Sequence, residues 1–359
     1  MFEGIRGFVD RHKWKLSALT VGTTAFVLVK RELDRRLQEM ADKALEDHLK
    51  LVRRQTHFES NEKACNITVE KMLPELLEEL EECTGNTELL EQLKSGIDAE
   101  SKLNAWSKLC VGTIVGVVAG SYVISLLVVL LRVQLNVLGG YLYLSTVPSK
   151  SASHTISVET QREYLELTTD HLKKEGVKRL VEKIREIVVD LISTRGKTWI
   201  QAEVDHTDLR LLFSDVRQRF EDSCCTDNGP FTKYLLPDRS TSTTENLIKS
   251  PPNLSFLTQE TLDVLETPLF KSSIRASVDK CLDHVDASLG FQFSNRKRDT
   301  PEEAEKPFYL FRLMPTVQKE YKSFFTAQYG PLQELLIVKE VKELSASLYE
   351  SFSELERDA

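Results

Sequence analysis

Apolar residues recur every three or four positions along most of the chain, and this spacing predicts helices. From Leu33 the apolar positions Leu37, Met40, Ala44 and Leu51 follow in steps of four, three, four and seven, with charged residues between them. Two further runs have the same spacing: Leu165, Leu172, Leu180, Ile184, Ile187 and Leu191, and then Ile337, Val341, Leu344, Leu348, Phe352 and Leu355. Neither run alternates as a half-buried strand does. The pattern predicts an all-α protein, built as one elongated helical bundle.

One proline interrupts this periodicity. Because proline has no backbone N–H, it is favoured in the first turn of a helix and disfavoured inside one. The position of Pro74 therefore predicts that a new helix begins there and covers residues 75–83.

A short apolar segment, residues 16–29, contains no charge and spans about 21 Å as a helix, against about 30 Å of bilayer hydrocarbon. We expect an uncleaved membrane anchor formed by Leu16, Leu19, Val21, Phe26, Val27, Leu28 and Val29, with a basic targeting cluster before it formed by Arg11, His12, Lys13 and Lys15. Residues 1–32 are then a targeting and anchor segment, and residues 33–359 a helical domain. A signal peptide and an ordinary buried helix remain alternatives. Equal numbers of flanking cations leave the orientation open.

A second apolar segment, residues 109–131, is long enough to cross a membrane, at about 34 Å of helix. Gly112, Gly116 and Gly120 form a ridge of small residues, which is typical of closely packed membrane helices. A central helix that is buried on all sides has the same composition. The residues alone leave two alternatives: a core helix, or a polytopic transporter or membrane enzyme subunit with spans near residues 16–29 and 109–131.

Composition restricts the class of protein. The chain has 359 residues and a net charge of −8. Its mean hydropathy is −0.26, which indicates a soluble character over most of its length. The absence of a basic excess argues against a surface that neutralises nucleic-acid phosphates. We therefore expect no nucleic-acid partner.

The sequence lacks the motifs of common catalytic and metal sites. It contains no phosphate-binding glycine loop, no His-Glu-x-x-His and no Gly-x-Ser-x-Gly. The seven histidines never fall three or four residues apart, and the six cysteines include no Cys-x-x-Cys pair. We expect a protein that is not an enzyme and that uses no cofactor, metal or small-molecule substrate.

Several blocks of sequence carry a resemblance to the peroxin-3 family, the peroxisomal membrane biogenesis factors. The first block comprises His-Phe-Glu-Ser-Asn at residues 57–61, Cys-Asn-x-Thr-Val at 65–69 and Met-Leu-Pro at 72–74. The second comprises Val-Val-Leu-Leu-Arg-Val-Gln-Leu-Asn at 128–136 and Gly-Gly-Tyr at 139–141. The basic, then apolar, start is also similar. The first 145 residues carry nearly all of the resemblance.

The resemblance implies a function and a location. It implies a docking receptor held in the peroxisomal membrane by its N-terminal segment, with a helical domain in the cytosol. That domain would bind peroxin-19, the chaperone that carries newly made peroxisomal membrane proteins, and so direct the insertion of this cargo. In the family the second apolar segment is a core helix, so the resemblance favours the first of the two alternatives above.

The resemblance also implies a binding site. In the family a tryptophan with neighbouring leucine and lysine side chains lines a groove for an amphipathic helix of peroxin-19. The matching residues here are Leu93, Lys94, Lys102, Leu103, Trp106 and Leu109. Cys110 stands where the family can have a lysine. Apart from the resemblance, a side chain that packs in the core is the better explanation of Trp106.

Overall fold

A computed structural model describes residues 2–95, 98–145, 156–195, 203–225, 231–237, 252–296, 309–326 and 330–357. Side chains are described from residue 30 onwards, except at a few helix ends. Within these ranges the structure is helical and contains no strand beyond one isolated bridge, between Glu203 and Tyr309. The prediction of an all-α protein is confirmed.

The helices have the following bounds: α1 Phe2–Thr84, α2 Asn86–Lys94, α3 Ala99–Ser145, α4 Val158–His171, α5 Val177–Arg195, α6 His206–Cys225, α7 Thr232–Leu235, α8 Pro252–Leu265, α9 Pro268–Arg296, α10 Leu310–Ser323, α11 Leu332–Leu335 and α12 Lys339–Arg357. A π-helical turn, Leu172–Gly176, connects α4 with α5.

The chain divides into two compact units, Met1–His57 and Phe58–Ala359. In the first unit the backbone of α1 is helical. Leu33 and Leu37, the first two residues of the apolar stripe, are each more than half exposed. The side chains of the predicted anchor and of the basic cluster before it lie outside the described residues. The anchor therefore stays a prediction.

The second unit is organised around α3. Every residue from Gly112 to Gln134 is buried, and α3 packs against α2, α5, α9, α10 and α12. Within the described part of the chain, α3 is the one helix that is long and apolar enough to cross a membrane. Protein surrounds the whole of its most apolar stretch. The prediction of a central, fully apolar core helix is confirmed, and this burial disfavours the polytopic alternative.

The glycine ridge of α3 receives large side chains from neighbouring helices. A Cβ atom on Gly116 would lie 3.0 Å from the ring of Tyr321, and one on Gly120 would lie 3.3 Å from Leu80 Cδ2. The small residues thus allow close packing, but their partners belong to the same bundle. The ridge serves packing within the bundle.

The predicted start of a helix at Pro74 is wrong, because α1 runs through this residue to Thr84 without interruption. An interior proline destabilises a helix by about 3 kcal/mol. Here Leu73, Leu76 and Leu80 lie on one face of α1, and each is at most 1% exposed. Full burial of a leucine contributes about 1.5–3 kcal/mol, so this continuous buried face outweighs the effect of the proline.

A partly buried ion pair connects α1 with α3 in the second unit. Arg132 Nη1 donates to Glu62 Oε1 over 3.0 Å, and Arg132 Nη2 donates to Asn66 Oδ1 over 2.9 Å. Only 4% of the Arg132 side chain is exposed. The guanidinium therefore obtains two partners from α1, besides the Leu336 carbonyl at 3.5 Å. Its interactions with α1 fix the register between the two helices.

Candidate partner-binding groove

The start of α3 is held by an N-terminal cap. The carboxylate of Asp98 accepts a hydrogen bond from the backbone N–H of Ser101 over 3.0 Å. Hydrogen bonds from the Ser101 side chain and from this backbone N–H lower the pKa of Asp98. The Asp98 carbonyl accepts a bond from Lys102 N over 2.9 Å. These bonds satisfy amide groups that a helix leaves unpaired at its start. They fix the turn from which Lys102 and Leu103 project, both of them exposed.

Trp106 lies one turn further along α3 and is partly buried. Leu103 and Lys102 precede it by three and four residues, so they share one face of the helix with it. The exposed fraction of Leu103 is 51%. The structure thus brings these three predicted residues together on one surface of the second unit.

A second wall is formed at the start of α10. The ring of Phe311 lies 5.9 Å from the ring of Trp106 at an angle of 60°. Phe311 in turn stacks on Tyr309, with ring centroids 5.8 Å apart. The guanidinium of Arg312 lies over both of these rings, at 5.9 and 5.8 Å. Sequence reasoning missed this wall, because nothing in the sequence places residues 309–312 beside Trp106.

The short helix α2 contributes Leu93 and Lys94. Leu93 is partly buried and Lys94 is exposed. α2 packs against α3, and only four residues separate the two helices. The two side chains therefore belong to the same end of the bundle as the start of α3.

The position of Leu109 differs from the expectation that this residue lines the groove. It is 1% exposed and forms part of the hydrophobic core, and its neighbour Cys110 is fully buried. A side chain this deeply buried offers almost no surface to a partner. The residues that can be contacted, here named the Trp106 surface, are Leu93, Lys94, Lys102, Leu103, Trp106, Phe311 and Arg312.

Two chemical properties of the described residues concern metal ligation and thiol reactivity. No group of three or more His, Cys, Asp or Glu side chains within the described ranges is arranged to hold a metal ion. Burial raises the pKa of Cys110 to about 12, and it raises the pKa of Cys65 to about 11. These two thiols are therefore protonated at neutral pH, and a protonated thiol is a poor nucleophile.

Comparison with known proteins identifies the family. The family model for Peroxin-3 matches residues 81–351, about three quarters of the chain. The chain belongs to the peroxin-3 family. The peroxisomal biogenesis factor 3 of Rattus norvegicus is 27% identical over 371 residues, and the alignment covers 98% of both proteins. The corresponding proteins of Mus musculus and Homo sapiens are each 26% identical, with the same coverage.

Membership of the peroxin-3 family agrees with two sequence predictions. The resemblance at residues 57–74 and 128–141 identified the family correctly. The family is one of biogenesis factors and not of enzymes, as the missing catalytic motifs predicted. The range that the family model matches, 81–351, includes the whole Trp106 surface. Residues 57–74 precede this range, but the alignments with the curated relatives cover them.

Proposed function

We propose that the protein is a docking receptor of the peroxisomal membrane, that it binds the chaperone peroxin-19 with its cargo, and that it thereby directs the insertion of membrane proteins. Three observations support this: membership of the peroxin-3 family, the names of the curated relatives, and the Trp106 surface. The partly buried Trp106 beside Phe311 carries the most weight, because binding energy at protein interfaces concentrates in such aromatic residues.

The proposed ligand of the Trp106 surface is an amphipathic helix at the N-terminus of peroxin-19. Trp106, Leu103 and Phe311 offer apolar contacts for such a helix, and helix-in-groove recognition depends on a few large anchors. The exposed Lys102 and Arg312 flank these apolar side chains. They suit a partner helix that has acidic residues beside its apolar face.

The proposed location follows from the N-terminal segment. Residues 16–29 would hold the chain in the peroxisomal membrane, and the helical domain would face the cytosol, where a soluble chaperone can reach it. Lys15 and Lys30 flank the segment and would extend to the lipid headgroups, because the apolar length is shorter than the hydrocarbon core. The lipid of this membrane is thus a second proposed partner.

Calorimetry with the N-terminal helix of peroxin-19 tests the binding site. Trp106→Ala is expected to weaken binding by at least about 2 kcal/mol, as truncation of a central aromatic anchor does. Phe291→Ala is the matched control, because Phe291 is 68% exposed and lies on α9. Unchanged affinity in a folded Trp106→Ala protein would contradict the assignment of the site.

A solubility test addresses the membrane topology. A chain that starts at residue 33 lacks the proposed anchor but keeps α3. We expect it to be monodisperse and helical without detergent, because α3 is already surrounded by protein. Extraction only with detergent would support the polytopic alternative instead.

A further inference from the structure

A buried hydrogen bond connects the two helices that contribute the outer parts of the Trp106 surface. The side-chain amide of Asn86 donates from Nδ2 to the hydroxyl of Tyr321 over 3.3 Å. Both side chains have an exposed fraction of 0%. Asn86 is the first residue of α2, and Tyr321 lies near the end of α10. The bond therefore joins segments that are 235 residues apart in sequence.

This hydrogen bond crosses the face of α3 at two glycines. A Cβ atom on Gly112 would lie 2.2 Å from Asn86 Oδ1, and one on Gly116 would lie 3.0 Å from Tyr321 Cε1. A side chain on Gly112 would overlap Asn86, and one on Gly116 would press on the ring of Tyr321. The absence of side chains at both positions is what permits Asn86 and Tyr321 to meet.

The turn before α2 is fixed as well. Gly85 has a φ angle of 70°, in the left-handed region that glycine adopts without strain. Arg185 Nη2 donates to the carbonyl of Cys83 over 2.9 Å and to that of Thr84 over 3.3 Å, which satisfies the end of α1. α2 has only nine residues, and an isolated helix of that length is unstable in water. Its position therefore depends on this turn, on α3 and on the bond to Tyr321.

We infer that Asn86 and Tyr321 form a clasp that sets the distance between α2 and α10, and thereby the shape of the Trp106 surface that receives a partner helix. The inference rests on the proposed function, because it concerns the same surface. Neither residue is exposed, so both act as positioning residues and do not touch the partner. The clasp joins α2, which carries Leu93, to α10, which carries the Phe311 ring that lies against Trp106.

Removal of one oxygen atom tests the clasp. Tyr321→Phe keeps the ring against Gly116 but removes the acceptor of the Asn86 bond. Tyr164→Phe is the matched control, since its buried hydroxyl bonds Thr261 Oγ1 over 2.6 Å between α4 and α8. Both variants remove a buried tyrosine hydroxyl together with its hydrogen bonding, so both are expected to lower the melting temperature.

Two measurements on the full chain in detergent separate the variants. The first is calorimetric affinity for the N-terminal helix of peroxin-19, and the second is hydrogen exchange of the α2 amides without partner. Tyr321→Phe is expected to weaken binding about three- to tenfold, the equivalent of one hydrogen bond, and to accelerate exchange in α2. Tyr164→Phe is expected to change neither quantity.

The outcomes distinguish the clasp from the proposed function. Absence of binding by the unmodified protein would overturn the proposed function, and hydrogen exchange in α2 would still report on the clasp. Unchanged exchange in α2 of Tyr321→Phe would overturn the clasp. So would equal losses of affinity in Tyr321→Phe and Tyr164→Phe, because the effect would then be one of general stability.

In a Leu93→Ala background, Tyr321→Phe should have a much smaller effect on affinity. The clasp acts through the position of α2, and Leu93 is the apolar contact that α2 supplies. Such non-additivity is expected of residues that act through one another. Full additivity of the two substitutions would contradict the inference.

Discussion

Asn61 of α1 lies directly against Gly139 of α3, within the second unit. A Cβ atom on Gly139 would lie 1.9 Å from Asn61 Nδ2, and one on Gly140 would lie 2.4 Å from Phe352 Cδ2. Asn61 and the two glycines come from the two sequence blocks by which the family was recognised. The blocks are distant in sequence but form one contact in the structure, and its close packing accounts for the two consecutive glycines.

We expect Gly140→Ala to lower the free energy of unfolding by about 1–3 kcal/mol, the usual effect of overpacking a core. The added methyl group would overlap the ring of Phe352. This ring already packs edge-on against Tyr141, with ring centroids 5.0 Å apart. Urea unfolding measures the change. Gly120→Ala is the control on the same helix, since its nearest neighbour would be 3.3 Å away and alanine favours helix by up to about 1 kcal/mol. Equal stability of Gly140→Ala and the unmodified protein would refute this packing argument.

Much of the architecture was predictable, because helical periodicity and the lack of charge in residues 109–131 are properties of local sequence. The aromatic partner of Trp106 could not be predicted, since Phe311 is about 200 residues away and no local pattern connects the two. The glycine ridge illustrates the same limit: the spacing of Gly112 and Gly116 predicted close packing, but it could not identify Asn86 and Tyr321 as the side chains that pack there.

The ion pair between Arg132 and Glu62 yields a prediction about stability. Glu62→Ala leaves the Arg132 guanidinium in the core without its charged partner, although it keeps its bond to Asn66. We expect a loss of about 1.5–3 kcal/mol in the free energy of unfolding, the usual contribution of a hydrogen bond to a charged group. Asp170→Ala breaks an exposed pair with Lys174 and should change this energy by less than about 1 kcal/mol. Chemical denaturation compares the two variants. Similar small losses in both would show that Arg132 finds other partners.

Lys102 is expected to influence the rate of association more than the affinity. Lys102→Glu places a negative charge beside Trp106 and should slow association with an acidic partner helix about threefold or more at low salt. Stopped-flow measurements at two ionic strengths test this, because the difference from the unmodified protein should shrink as salt rises. Lys280→Glu, an exposed change on α9, is the control. An equal slowing by both variants would indicate an effect of net charge alone.

The buried thiols should resist alkylation in the folded protein. Burial raises the pKa of Cys110 to about 12 and that of Cys65 to about 11, so little reactive thiolate exists at pH 8. Cys83 is only partly buried, and it should react faster although burial raises its pKa too. Mass spectrometry after iodoacetamide treatment resolves each site, and unfolding in urea should make all three react. Labelling of Cys110 as fast as Cys83 would contradict the core position of Cys110.

The most direct test of the proposed receptor function is site-specific photo-crosslinking of the full chain to peroxin-19. A photoreactive amino acid in place of Leu103, which is 51% exposed beside Trp106, is expected to capture the N-terminal helix of peroxin-19. The same amino acid in place of Leu211, 54% exposed on α6, serves as the control and should give no adduct. An adduct at residue 103 that disappears with Trp106→Ala is the predicted result. An adduct at residue 211 with none at residue 103 would contradict the account.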